Sequence, residues 1–490
     1  MVFRGRPSKA CERCRARRLK CDLHTGACGQ CVRAATSCSG YRDTQQLRIR
    51  IENQSVVRKA LQRASRCELQ YLSLSIDLQA RDAFFGSYVA SKCWDFLKPY
   101  YQPMDSPEHL TKAIEAVSLA YLWHQVYSNA ALATARGKYI SALRMTNKIL
   151  KSSKEQTKNT TLMASLLLDL FEKITDTETR DNSCSSHVNG ALALVSLRGL
   201  DQFQDESDFN MLVRLYTHYI VSCVASDSPV PNNLNAIEVH IGNRLSVKDP
   251  MLRLSNLMVQ YTNLRCETRK GILSNGECTE LSLELDGQIQ ALDSELPAFW
   301  QYSTISLELE SERAFDLHFH FYSNPMICQA RNVFRIMRII LNESLIQHVL
   351  VSPTSNRDLA LTTFAHDNIQ ISAGEICASV PQYMDCDGAA RHRLPASEKS
   401  DFCVDHILPR GHSHTPNHQL DCYTLIFPLY VAARSKAVPD MKPWIIKNLH
   451  YMSTHFHIRN AELVARILEQ ETDVDPWEVY AMLGSYAFAC

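Results

Sequence analysis

No stretch of the 490 residues stays apolar for the ~18–20 consecutive positions a membrane-spanning helix needs. The opening residues, MVFRGRPSKAC, are polar and basic and give a secretory signal no apolar core. The expectation is an intracellular protein with reduced thiols. Also missing are a glycine-rich phosphate loop, a nucleophile elbow and an H-E-x-x-H zinc motif. Scattered His, Cys and Asp residues do not make up for them, so no enzyme is expected. No fixed-period repeat is present, which argues against an array of stacked units. Net charge is absent too, with 52 Lys and Arg against 52 Asp and Glu, but that balance conceals an asymmetry. Residues 1–66 hold 16 basic and 4 acidic residues, a net of +12, and the remainder carries −12. A basic head on an acidic body suits a nucleic-acid partner for the head.

What is abundant is cysteine, 18 in all. Six of them fall at Cys11-x2-Cys14-x6-Cys21-x6-Cys28-x2-Cys31-x6-Cys38, two copies of C-x2-C-x6-C joined by six residues. In a reducing compartment such a pattern reads as metal binding, and zinc favours four thiolates in a tetrahedral shell. Six sulfurs cannot give two ions four separate ligands each, but they can if two are shared. A redox reading would need a single C-x-x-C beside a βαβ pattern; here there are two, no strand signal, and helix breakers at Gly26 and Gly29. His24 reads as a surface-loop residue. The other twelve cysteines, from Cys67 to Cys490, read as small buried hydrophobes.

This segment resembles the DNA-binding domain of fungal binuclear zinc cluster transcription factors. The resemblance implies two Zn²⁺ ions per chain, with Cys11 and Cys28 bridging. Cys14 and Cys21 then complete one shell, and Cys31 and Cys38 the other. The family usually has a proline between its third and fourth cysteines; here "DLHTGA" stands there, with Gly26 supplying the turn.

Between Cys14 and Cys21 runs "RARRLK". On a short helix Arg15 and Arg18 share a face, with Arg17 and Lys20 on its flank and Leu19 turned toward the cluster. Arginine forks to the O6 and N7 of guanine in the major groove, where six-cysteine zinc modules place such a helix. The resemblance implies a CGG-like half-site. Arg13, Lys9 and Lys20 are assigned to phosphates. "RGRP" (Arg4 to Pro7) is read as a phosphate-binding tail rather than a minor-groove hook. After the cluster, a coiled-coil frame on Val57, Leu61 and Ala64 also brings Arg50, Gln54 and Glu68 to the seam. That falls short of three clean heptads, so a linker and basic helix are expected, and a homodimer stays open.

The fold class expected is mainly α. Residues 1–45 form the two-zinc cluster with two short helices, 46–70 the linker and basic helix, and 71–490 a large irregular all-α domain. Leu110, Ala113, Ile114, Val117, Ala120 and Tyr121 recur at helical spacing, and "TTLMASLLLDLFEKI" is apolar all round and so central to the core. "HVNGALALVSLRG" (187–199) puts Val188, Ala191, Leu192 and Val195 on one stripe, Gly190 allows close packing, and Gly199 ends the helix as a left-handed cap. That phrase, "EICASVP" (375–381), "FPLYVAA" (427–433) and "GYRD" (40–43) resemble segments of the helical regulatory domain of the same factors. His318 and His320 are read as packed on a helix with their rings apart, residues 201–209 as an inter-helix loop, and 387–421 as a flexible loop without a second metal site.

The functional expectation is a zinc-dependent, sequence-specific regulator of RNA polymerase II genes, such as those of a pathway or metabolite gene cluster. It would reside in the nucleus, with double-stranded DNA and co-regulators as partners and no membrane. The alternative is a protein-interaction co-regulator whose cluster is structural only.

Overall fold

The computed structural model describes residues 8–43, 75–89, 94–126, 128–175, 186–246, 248–350, 356–384 and 416–483. The segments 1–7, 44–74 and 385–415 lie outside these. With them go "RGRP", the linker and coiled-coil frame, and most of the 387–421 loop. The chain divides into two compact units, Met1–Ser73 and Leu74–Cys490.

The small unit holds α1 (Glu12–Ala16) and α2 (Gly29–Arg33). The large unit is almost wholly helical. It begins with α3 (Ile76–Phe84), α4 (Glu108–Val126), α5 (Asn129–Ile149), α6 (Asn159–Thr175) and α7 (Ser186–Arg198). Then come α8 (Glu206–Ala225), α9 (Leu234–Arg244), α10 (Pro250–Arg269) and α11 (Asn275–Ser294). A hairpin of β1 (Ser303–Ser306) and β2 (His318–Phe321) interrupts them, antiparallel with Ser303 opposite Phe321. The chain resumes with α12 (Pro325–Leu350), α13 (Asn356–Ala378), α14 (Pro381–Met384), α15 (Pro416–Tyr423), α16 (Ile426–Arg434), α17 (Met441–His455), α18 (Arg459–Glu469) and α19 (Pro476–Met482).

Local sequence explains where several helices start. Ser128 caps α5, Asp249 caps α10 ahead of Pro250, and Ser274 with Glu277 closes a capping box on α11. In α6 every residue from 161 to 171 is buried, as its apolar faces require. The stripes on α4 and α7 are buried at each expected position. In α16 all residues from 426 to 433 are buried, which places "FPLYVAA" in the core. Six of the twelve scattered cysteines fall within the described residues, and all six are buried.

Five expectations change. Gly190 is exposed and a Cβ there would meet nothing within 4 Å, so it allows no close packing. Gly199 follows the end of α7 with a positive φ of 84°, but its ψ of 141° is extended rather than left-handed helical. His318 and His320 lie on a strand, where i, i+2 spacing puts them on one side with ring centroids 6.0 Å apart. Tyr302 stacks on His320 at 3.9 Å, and burial, aided by the Arg335 charge, pushes that imidazole down to about 4. Residues 416–421, placed in the loop by their polarity, belong to α15, because His418 and Cys422 turn inward and donate to the Tyr383 carbonyl. Likewise residues 206–209 start α8. Their Asp208 is buried against Arg198 at 2.9 Å and accepts from Tyr100 and Asn159, which gives the arginine of "SLRG" a partner.

Under α6 and α8 lies a buried charged group. The Asp169 carboxylate meets Lys173 at 2.9 Å and His218 at 3.8 Å. Burial would raise Asp169, but the Lys173 and His218 charges hold it below the usual carboxylate range. Burial pushes His218 down to about 3, with the Arg214 charge adding to it. Between pH 6.5 and about 3 the unfolded chain therefore binds a proton at this position that the folded chain refuses, so stability falls as pH drops. By pH 5 the loss from His218 is about 2 kcal/mol. In urea unfolding at pH 7 and pH 5, His218→Phe should show a smaller drop in midpoint than the parent chain. An equal drop would remove His218 as a source of acid sensitivity.

Candidate metal centre and nucleic-acid interface

The small unit is one backbone unit used twice, seventeen residues apart. Cys11 precedes α1 and Cys28 precedes α2 as their N-caps. Each helix runs five residues and ends in the same way. Arg18 N–H donates to the Arg15 carbonyl and Leu19 N–H to that of Cys14; Ala35 N–H donates to Val32 and Thr36 N–H to Cys31. Both are Schellman closures, with Arg18 (φ 53°) and Ala35 (φ 48°) in the left-handed position normally given to glycine. Five residues further on, Leu23 (φ 56°) and Gly40 (φ 80°) repeat the match.

The sulfurs follow the same plan. Cys11, Cys14, Cys28 and Cys31 are fully buried, and Cys21 and Cys38 pack against them half-buried. Two groups of four sulfurs lie within 4.8 Å of one another: Cys11, Cys14, Cys21 and Cys28, and Cys11, Cys28, Cys31 and Cys38. Cys11 and Cys28 belong to both. Their separation is 3.7 Å, that of Cys14 and Cys28 is 3.7 Å, and that of Cys11 and Cys31 is 3.8 Å. A tetrahedron of thiolates about 2.3 Å from zinc has edges of about 3.8 Å, so the donor set fits that ion.

Ionisation makes the same point. Burial raises the Cys28 thiol. The Cys14 backbone N–H pulls Cys11 down, yet burial and the adjoining thiols of Cys14 and Cys31 leave it at about 12. The two outer sulfurs move the other way. Cys21 is lowered by the backbone N–H groups of Cys11 and Leu23, and Cys38, lowered by those of Cys28 and Gly40, falls to about 7. The sulfurs common to both groups are thus the costliest to ionise with no cation between them. A divalent ion at the centre of each group removes that cost and displaces the protons.

Other side chains lock the two halves together. The Arg13 guanidinium donates to the Gln30 carbonyl at 3.0 Å and lies 3.9 Å from the Cys31 sulfur. The Asp22 carboxylate accepts from Gly29 N–H at 2.9 Å, and a Cβ on Gly29 would sit 2.6 Å from its oxygen. Gly29 therefore starts a helix rather than breaking one, and a side chain there would push the Asp22 carboxylate away from it. Gly26 makes the turn with φ 93°. Tyr41 O–H donates to the His24 carbonyl, and Arg42 N–H to that of Lys9, which closes the unit on itself. The His24 side chain is exposed, and its imidazole bonds to the neighbouring Thr25 carbonyl.

The basic run sits on the outside. Arg17, Arg18, Lys20 and Lys9 are exposed, and Arg15 is half-buried. The helix ends before Arg17, so Arg15 and Arg18 do not share a helical face; the left-handed turn at Arg18 redirects the chain. That turn also leaves Leu19 41% exposed instead of against the sulfurs. Sequence reasoning missed the tie from Arg13 to the second half and the Asp22–Gly29 contact. The seventeen-residue cysteine offset was the signal that could have predicted the matching turns.

Residues 9–48 match the fungal Zn(2)-Cys(6) binuclear cluster domain, and residues 87–310 match the fungal specific transcription factor domain. Both are domains of transcription factors rather than enzymes. No curated protein and no solved structure matches the chain. No helix among the described residues is long and apolar enough to cross a membrane.

Proposed function

We propose that this chain, which belongs to the fungal Zn(2)-Cys(6) transcription factors, reads a CGG-like half-site through the basic run of its first half-cluster. The protein is a zinc-binding, DNA-binding regulator of transcription. In the proposed arrangement two Zn²⁺ ions share Cys11 and Cys28. Cys14 and Cys21 complete one shell and Cys31 and Cys38 the other, and the site lies in a nuclear protein acting on RNA polymerase II genes.

The observation that carries this reading is the contrast between the two halves. Their backbones match, but seventeen residues beyond Arg15, Arg17, Arg18 and Lys20 stand Val32, Ala34, Ala35 and Ser37. A cluster with only a structural role would need no such difference. Arg17 and Arg18 supply planar forks for guanine, Arg15 supports them from the half-buried flank, and Lys20 and Lys9 take phosphates. Arg13, bonded to Gln30, acts by holding the halves in register and meets phosphate only with its remaining donors.

With each guanine contact worth about 1–3 kcal/mol, the double substitution Arg17→Ala, Arg18→Ala should weaken binding to a CGG-containing duplex at least about 30-fold. It should also flatten the salt dependence, while zinc content stays that of the parent. Fluorescence anisotropy on specific and scrambled duplexes at two salt concentrations measures this. Unchanged affinity and salt slope would favour the co-regulator reading.

A further inference from the structure

The backbone donors that reach the sulfurs come in matched pairs, as the repeated chain plan requires. Cys14 N–H serves Cys11 as Cys31 N–H serves Cys28. The Cys11 and Leu23 N–H groups serve Cys21 as those of Cys28 and Gly40 serve Cys38. Burial is matched as well, with Cys14 and Cys31 fully buried and Cys21 and Cys38 half-buried. One side chain breaks the match. The Arg13 guanidinium donates to the Gln30 carbonyl at 3.0 Å, and the same nitrogen points at the Cys31 sulfur from 3.9 Å. Seventeen residues on, the counterpart of Arg13 is Gln30, and among the described residues no side-chain N–H reaches the Cys14 sulfur in return. Arg15, Arg17, Arg18 and Lys20 form no hydrogen bond to a sulfur there either.

A thiolate shell gives up its ion as protons take the sulfurs back. A guanidinium keeps its charge at every working pH, and beside a thiolate it opposes that protonation. Hydrogen-bond partners behind metal ligands are worth about 10–100-fold in metal affinity. We propose that Arg13 makes the two half-clusters unequal, so that Cys31 and Cys38 keep their Zn²⁺ while Cys14 and Cys21 release theirs first. The proposal rests on the two-zinc reading above. Once Cys14 and Cys21 are free, Cys11, Cys28, Cys31 and Cys38 still form a complete group of four. The half that loosens first carries Arg15, Arg17, Arg18 and Lys20, so the surface that reads DNA is lost while the second half stays closed. Arg13 is thus a positioning residue that decides the order in which the cluster opens.

The test loads the full chain with zinc and adds EDTA together with N-ethylmaleimide. Peptide mass spectrometry then follows which cysteines are labelled as the ions leave. In the parent, Cys14 and Cys21 should be labelled about tenfold faster than Cys31 and Cys38. In Arg13→Gln both pairs should be labelled at the faster rate. If Arg13→Gln takes up no zinc, Gln30→Arg decides. By the repeat it brings a guanidinium to Cys14, and it should slow Cys14 and Cys21 to the rate of the other pair. Equal rates for the two pairs in the parent would overturn the proposal, as would an order that the deciding variant leaves unchanged. Labelling of the six cysteines that ignores EDTA would overturn the two-zinc reading itself, and the proposal with it.

Discussion

A chain carrying Cys28→Ala should lose specific DNA binding by more than about 100-fold and bind fewer than two zinc ions, while the helical unit unfolds as before. Among its described residues the small unit has no core other than sulfur: the buried apolar set is Cys11, Cys14, Cys28 and Cys31, packed against Ala10, Cys21, Cys38 and Tyr41. α1 and α2, five residues each, are far too short to persist alone. Folding must therefore draw on metal binding, which in small zinc modules is worth roughly 10–16 kcal/mol. Cys28 lies in both sulfur groups, so its loss leaves three ligands in each. Cys14→Ala removes a ligand from one group only and should be the milder change. Zinc content by mass spectrometry and anisotropy on a CGG duplex would separate the two variants. Equal, mild losses for Cys28→Ala and Cys14→Ala would contradict the shared-sulfur arrangement.

The second large effect concerns the body. A chain ending at residue 310, where the regulatory match stops, should show no cooperative unfolding and should aggregate. On α11 the stripe Ser282, Leu285, Ile289 and Leu292 is buried. It shares its face with Asp286 and Asp293, which pair with Arg338 and Arg331 of α12 at 2.9 and 3.1 Å. Near the other end, Trp477 of α19 donates to the Tyr261 hydroxyl at 2.9 Å. Asp475 pairs with Arg265 at 3.0 Å and also with Arg269. Each large apolar side chain laid bare forfeits about 1.5–3 kcal/mol, against a total stability of about 5–15 kcal/mol. Urea unfolding followed by circular dichroism tests this. A sharp transition in the shortened chain near that of the full one would show residues 87–310 to be self-sufficient.

The cluster was legible because metal geometry constrains spacing: two C-x2-C pairs and two x6 arms leave few ways to bring six sulfurs together. The helical stripes were legible because burial in α4, α6 and α7 follows a 3.6-residue period. What escaped notice depended on backbone states that side-chain patterns do not announce. Arg18 and Ala35 adopt left-handed φ values, which would not be expected of Arg or Ala, and only the cysteine repeat hints at them. The β1–β2 hairpin lay hidden because "HFHF" was read at a helical period although it alternates with period two. Residues 416–421 misled through polarity, since His418 and Cys422 are buried by hydrogen bonds to a carbonyl. Lys173 one turn beyond Asp169 could be read from the sequence, but His218 of α8 beside Asp169, and Arg198 of α7 and Tyr100 beside Asp208, come from other elements.

X-ray absorption at the zinc edge of the full chain tests most directly whether the six cysteines form one two-metal cage. The expected result is two zinc ions per chain, each with four sulfurs at about 2.3 Å and a second metal ion as a near scatterer. One zinc per chain, nitrogen or oxygen in the shell, or no metal–metal scattering would contradict it.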